Sequence, residues 1–177
     1  GQSALKGNEA LIAKEYARGR QAIWDTDYLQ NRIKDEFNIG EGDWGIKEIT
    51  TKSGRGYGMD RYGNMYNLKT RSKVGGYARG TSNGSFIHIS PMTTNSNTVD
   101  FRAISGHELN HAYHFYRFGA LANKIYSERV AYEYSFNVYL KSGNLSSAYR
   151  IMNTALRNNF WGYYPNRYKI PAYFTFY

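Results

Sequence analysis

The chain has 177 residues and no cysteine, so it is long enough for one hydrophobic core but has no disulfide, no Cys-ligated metal and no thiol nucleophile. Its net charge of +9 permits attraction to anionic surfaces, but the basic residues are scattered; the densest run, Lys69-Thr70-Arg71-Ser72-Lys73, reads as a solvated loop, and no stable nucleic-acid partner is expected. Aromatic residues make up 17% of the chain, including 18 Tyr, which argues against disorder and requires hydroxyls that are partnered or exposed. No membrane span or signal peptide is visible, and residues 1–177 are expected to form a single, monomeric domain that can be part of a longer protein.

Residues 8 to 37 read as two helices or one broken helix. Asp25 or Asp27 caps the second segment, Leu29, Ile33 and Phe37 form its apolar stripe, and Gly40 and Gly42 end it. A strand is expected from Trp44 to Thr51. A short hairpin is expected from Tyr57–Asp60 and Met65–Leu68 around Arg61-Tyr62-Gly63-Asn64. Seven glycines, at 54, 56, 58, 75, 76, 80 and 84, read as turns. Phe86 to Ser90 is the clearest strand, and Pro91 stops it. Met92 to Thr98 reads as a polar loop. A helix capped by Thr98 or Asp100 then runs to Phe118 and stops at Gly119. After a loop over 120–126, Ser127 is expected to cap a helix over 128–141. Gly143 closes that helix, and Asn144 caps a last one with Ala148, Ile151, Met152, Ala155 and Leu156 inward. Phe160 to Tyr177 reads as an aromatic strap. The order predicts an α+β fold: a small glycine-rich antiparallel or mixed sheet, a motif-bearing helix, then further helices.

The four histidines are His88, His107, His111 and His114, and three of them lie within eight residues. His107-Glu108-Leu109-Asn110-His111 is a His-Glu-x-x-His pattern in the middle of an expected helix. Four-residue spacing puts His107 and His111 one turn apart on one face, where both can converge on a tetrahedral Zn²⁺. Glu108 then lies beside the metal, placed to take a proton from a metal-bound water. No other charge occurs from Ser105 to Tyr116, as a buried metal face requires. Arg117 occupies the position where a three-His extension would need its last His. The remaining common solution is a carboxylate from the next helix. Glu128 and Glu133, which follow His111 after 16 and 21 intervening residues, are both in reach. Five helical residues turn the side chain by about 140°, so only one of them can ligate.

His107-Glu108-Leu109-Asn110-His111 together with Glu128-Arg129-Val130-Ala131 resembles the paired motifs of gluzincin metallopeptidases over about 30 residues. The resemblance implies a zincin-like fold, zinc held by His107, His111 and Glu128, Glu108 as general base, and a protein or peptide substrate cut by an endopeptidase. Glu133 stays the alternative third ligand. A Tyr-rich, Gly-rich, cysteine-free domain with this motif also resembles the C-terminal metallopeptidase domains of bacterial YD-repeat polymorphic toxins. That implies a toxin domain in a secreted or cell-surface setting.

His114 lies on roughly the same helix face as the motif and His88 in the preceding strand; each is a candidate for supporting the ligands or binding substrate, or is simply packed. Tyr132 and Tyr126 flank Glu128 and are candidates to stabilise an oxyanion. Two rival readings are a catalytically silent domain that binds a partner and a basic nucleic-acid-binding domain.

Overall fold

The computed structural model describes residues 24–119 and 124–160. Helix α1 (Thr26–Phe37) is followed by a 3₁₀ turn (Asp43–Gly45) and six strands: β1 (Ile46–Thr50), β2 (Tyr57–Met59), β3 (Met65–Asn67), β4 (Lys73–Val74), β5 (Gly76–Thr81) and β6 (Gly84–Ile89). Four helices complete the fold: α2 (Pro91–Thr94), α3 (Thr98–Phe118), α4 (Lys124–Lys141) and α5 (Leu145–Arg157). The helix expected before Trp24 and the aromatic strap expected beyond Phe160 fall outside the described residues.

Helix α1 follows the sequence pattern. The Asp25 carboxylate accepts the Asp27 N–H at 2.8 Å, and Leu29, Ile33 and Phe37 are buried. Its end comes earlier than the glycines suggested. Asn38 takes the left-handed conformation at φ 57° and returns its N–H to the Lys34 carbonyl. Asn tolerates that region because its short polar side chain bonds locally. The next strand also begins later: Trp44 sits in the 3₁₀ turn, and β1 starts at Ile46.

The strands form two sheets rather than one. The first has the order β1-β6-β5, with β1 parallel and β5 antiparallel to the central β6. The second is the antiparallel set β2-β3-β4, built on the expected hairpin. In its turn the Asp60 carboxylate accepts the N–H groups of Tyr62 and Asn64 at 2.9 and 3.0 Å. Strand β5 corrects the turn reading for Gly76 and Gly80, whereas Gly56 does sit in a turn, at φ 87°. A side-chain carbon at Gly80 would fall 2.3 Å from the Phe115 ring. Here glycine serves close approach rather than turning, and it lets α3 lie directly on the edge strand.

Further corrections concern helix ends. Pro91–Thr94 is one helical turn, not loop, because the Ser90 hydroxyl accepts the Thr93 N–H at 3.0 Å. Asn97, rather than Thr98 or Asp100, caps α3, and Asp100 instead places its charge in the first turn. Gly119 ends α3 at φ 60°, as expected. Ser127 is not a cap: it lies inside α4 and is buried. Asn144 does cap α5, accepting the Ser147 N–H at 3.1 Å. Ala148 and Ala155 of α5 face inward, but Leu156 is exposed.

Two apolar clusters hold the layers together. Leu29, Ile33 and Phe37 of α1 pack with Ile46, Ile49, Ile87 and Ile89 of the first sheet and with Phe101, Leu109 and Ala112 of α3. Ala103, Tyr139 and Ala148 join α3, α4 and α5, with Val99, Phe136 and Ile151 around them. The observed class is therefore α+β, with a mixed sheet followed by the motif helix and further helices. No described helix is long and apolar enough to cross a membrane.

Candidate metal centre

Helices α3 and α4 run antiparallel. The Ala103 carbonyl meets the Ser135 hydroxyl at 2.7 Å, His107 bonds to the Ala131 backbone, and His111 meets Ser127 at 2.7 Å. Close contact depends on Gly106, where a side-chain carbon would fall 2.2 Å from the Tyr134 ring. With that separation, side chains of the second helix reach the His pair without spacers.

The Nε2 atoms of His107 and His111 are 3.2 Å apart. Two ring nitrogens at that distance need a proton or a cation between them, because facing lone pairs repel. Glu128 closes the third side: one carboxylate oxygen lies 3.2 Å from His111 Nε2 and the other 3.5 Å from His107 Nε2. Glu108 stands further off, 4.0 Å from His107 Nε2. One donor atom each from His107, Glu108 and His111 falls within 4.8 Å, so this largely buried group can hold a metal ion. Of the two carboxylates, Glu128 is the nearer to His107 and reaches both rings, whereas Glu108 accepts a hydrogen bond from the backbone of Ala78 in β5.

The two acids are driven in opposite directions. Burial, opposed by the charges of His107 and His111 and reinforced by Glu128, raises the Glu108 carboxyl above its usual range. Burial also disfavours the Glu128 carboxylate, but hydrogen bonds from His107 and His111 and their charge outweigh it and hold that group far below the ordinary value. For His107, burial works against protonation, and the two carboxylates outweigh it, raising its pKa. The site thus favours the ionised form of Glu128 and the neutral form of Glu108.

A cleft of about 570 Å³ opens on this cluster, lined by β5 from Gly76 to Ala78, by Tyr57 and by Tyr132. A second cavity of about 290 Å³ meets it at Gly76, His107, Glu108 and Tyr132 and continues toward Lys73 and Arg150. The Tyr132 ring stands edge-on to His107 at 4.8 Å, and burial with the nearby Glu128 and Glu108 pushes its hydroxyl up to about 12.

The other candidates are placed differently. Glu133 is half exposed and faces Arg129 at 3.9 Å, so the structure brings Glu128, not Glu133, to the histidines. Tyr126 is buried and does not line the cleft. His88 is buried behind Tyr77: its Nδ1 lies 2.8 Å from the Lys52 carbonyl, and its ring stacks on Tyr77 at 4.3 Å. Tyr57 stacks on the other side of Tyr77 at 3.7 Å and faces the cleft near Glu108. Sequence reasoning missed Tyr57 because nothing local to a short hairpin distinguishes one of 18 Tyr. It also missed the role of Ser127, which only the pairing of α3 with α4 defines. His114 is fully buried and bonds Ser127.

Comparison with protein-family models, with curated proteins and with solved structures found no match to this chain.

Proposed function

We propose that the chain is a zinc-dependent endopeptidase of the zincin type, with His107, His111 and Glu128 as ligands and Glu108 as general base. The observation that carries this reading is the spacing of the three donors. Bonds of about 2.0–2.1 Å from a tetrahedral ion put its ligand atoms about 3.3–3.4 Å apart. His107 Nε2 and His111 Nε2 are 3.2 Å apart, and the two Glu128 oxygens lie 3.2 Å from His111 Nε2 and 3.5 Å from His107 Nε2, close to that spacing. A nitrogen–nitrogen–oxygen set without sulfur suits Zn²⁺, and the cleft opens on these residues.

Bound zinc supplies a Lewis acid and an acidified water. The chain's own residues do the rest. Glu108, with its pKa raised by burial, accepts the proton of the attacking water and passes it to the departing amine. The Ala78 N–H steadies the carboxylate meanwhile. Strand β5 is an edge strand beside the cluster, so a protein or peptide substrate in extended form can add to it by backbone hydrogen bonds. Tyr132 stands edge-on to His107 and lines the cleft, so its hydroxyl is the candidate donor to a developing oxyanion. The resemblance to YD-repeat toxins extends the proposal to an effector domain of a larger secreted or cell-surface bacterial protein; this part rests on the sequence alone.

The test is metal analysis of purified protein combined with a peptide-library cleavage assay. One zinc per chain is expected. Glu108→Gln should retain the metal and lose about 10²- to 10⁴-fold in cleavage rate. Absence of stoichiometric zinc, or cleavage unchanged in the variant, rules the reading out. Zinc bound by a wild type that cuts nothing favours a silent, partner-binding domain instead.

A further inference from the structure

We propose that Ser127 and His114 form a hydrogen-bonded relay that sets the tautomer of His111 and so presents its Nε2 lone pair to the metal. The inference rests on the zinc site described above and assigns two residues outside the ligand set.

The Ser127 hydroxyl lies 2.7 Å from Nδ1 of His111 and 2.7 Å from Nδ1 of His114. A hydroxyl has one proton, so it donates to one ring and accepts from the other. His111 Nε2 faces His107 Nε2 and Glu128, each at 3.2 Å. A ligand needs its lone pair there, which leaves the proton on Nδ1 of His111. That N–H donates to the Ser127 oxygen. The Ser127 proton then goes to Nδ1 of His114, and His114 carries its own proton on Nε2. The reverse direction would place a proton on His111 Nε2, aimed at the other ligands and blocking the ion.

Both members of the relay are buried. His114 is fully buried one turn beyond His111, and Ser127 arrives from the facing helix. Metal-bound histidines commonly pass their second N–H to a carboxylate or carbonyl. Here a neutral hydroxyl does so. Glu108 and Glu128 already bring two carboxylates to the site, and a third would leave excess negative charge in a poorly solvated place. A serine–histidine pair orients the ring without adding charge.

The test measures zinc affinity by chelator competition for wild type, Ser127→Ala and Ser127→Thr. Ser127→Ala should bind about 10- to 100-fold more weakly. Ser127→Thr keeps a hydroxyl and should recover most of the loss. If Ser127→Ala does not fold, His114→Phe takes its place and should also weaken binding. Nitrogen-15 spectra of the zinc-loaded wild type should show His111 protonated at Nδ1 and His114 at Nε2. Wild-type affinity in Ser127→Ala, failure of threonine to rescue, or the opposite His114 tautomer overturns the relay. Failure of the wild type to bind zinc at all instead overturns the metal-site reading on which it stands.

Discussion

The two long faces of α3 are both buried, but different chemistry holds them. Toward the first sheet, Phe101, Leu109 and Ala112 meet Leu29, Ile33, Ile49, Ile87 and Ile89, all with no exposed surface. Those contacts are non-directional, and any neighbour of suitable volume contributes. Toward α4, His107, His111 and His114 meet Ser127, Glu128, Ala131 and Ser135 through specific polar atoms. There each group depends on the one opposite, since a buried polar atom that loses its partner costs about 1–3 kcal/mol. The sheet face therefore contributes stability alone, whereas the α4 face adds to its apolar cluster of Ala103 and Tyr139 the polar contacts that set geometry.

The largest separation of the two faces is expected from Leu109→Ala. It should lower unfolding free energy by about 2–5 kcal/mol, read by urea denaturation. Zinc affinity of the folded fraction should stay at the wild-type value. A matching loss of affinity would show that the faces are not separable.

Gly106→Ala probes the other face. The added carbon would meet the Tyr134 ring at 2.2 Å, so overpacking of about 1–3 kcal/mol is expected in the same denaturation assay. Unlike the leucine variant, it should also weaken zinc binding, because pushing α4 outward draws Glu128 away from the histidines. A variant that loses stability while binding zinc normally would break the comparison.

The smallest effect is a pH dependence on the far side of the sheet. Burial, aided by Arg79 and opposed by Lys52 and Glu48, lowers the His88 pKa below its ordinary value of 6.5. Below that pH the unfolded chain takes up a proton at this position that the folded chain does not. The His88 contribution is thus complete above about pH 6.5 and declines as pH falls toward the depressed folded value. Melting temperatures of wild type and His88→Gln should converge on acidification from pH 7 to 5. A constant gap would show that His88 does not titrate as its burial implies.

Much of this was legible in the chain. The stripe of Leu29, Ile33 and Phe37, the β2–β3 hairpin, strand β6, the Gly119 stop and the Asn144 cap all follow from spacing or local backbone chemistry. Strand β5 was not, because glycine in sequence signals turning, and only the Phe115 ring above Gly80 reveals that close approach is what it serves. Ser127 before Glu128 has the signature of an N-cap, and α4 overrides it by starting at Lys124.

What the sequence determined by itself is the pair. His107 and His111 sit one turn apart on any α-helix, and Glu108 must follow the first, so the core of the centre is a matter of helical period alone. What only the tertiary structure decided is everything that crosses between elements. The choice of Glu128 over Glu133 depends on how α4 is rotated against α3. The bond from Ala78 to Glu108 depends on how closely α3 rests on β5. The meeting of Ser127 with two histidines depends on the register of two antiparallel helices. Periodicity places residues on a face, but it says nothing of the rotation, depth and register at which one face meets another.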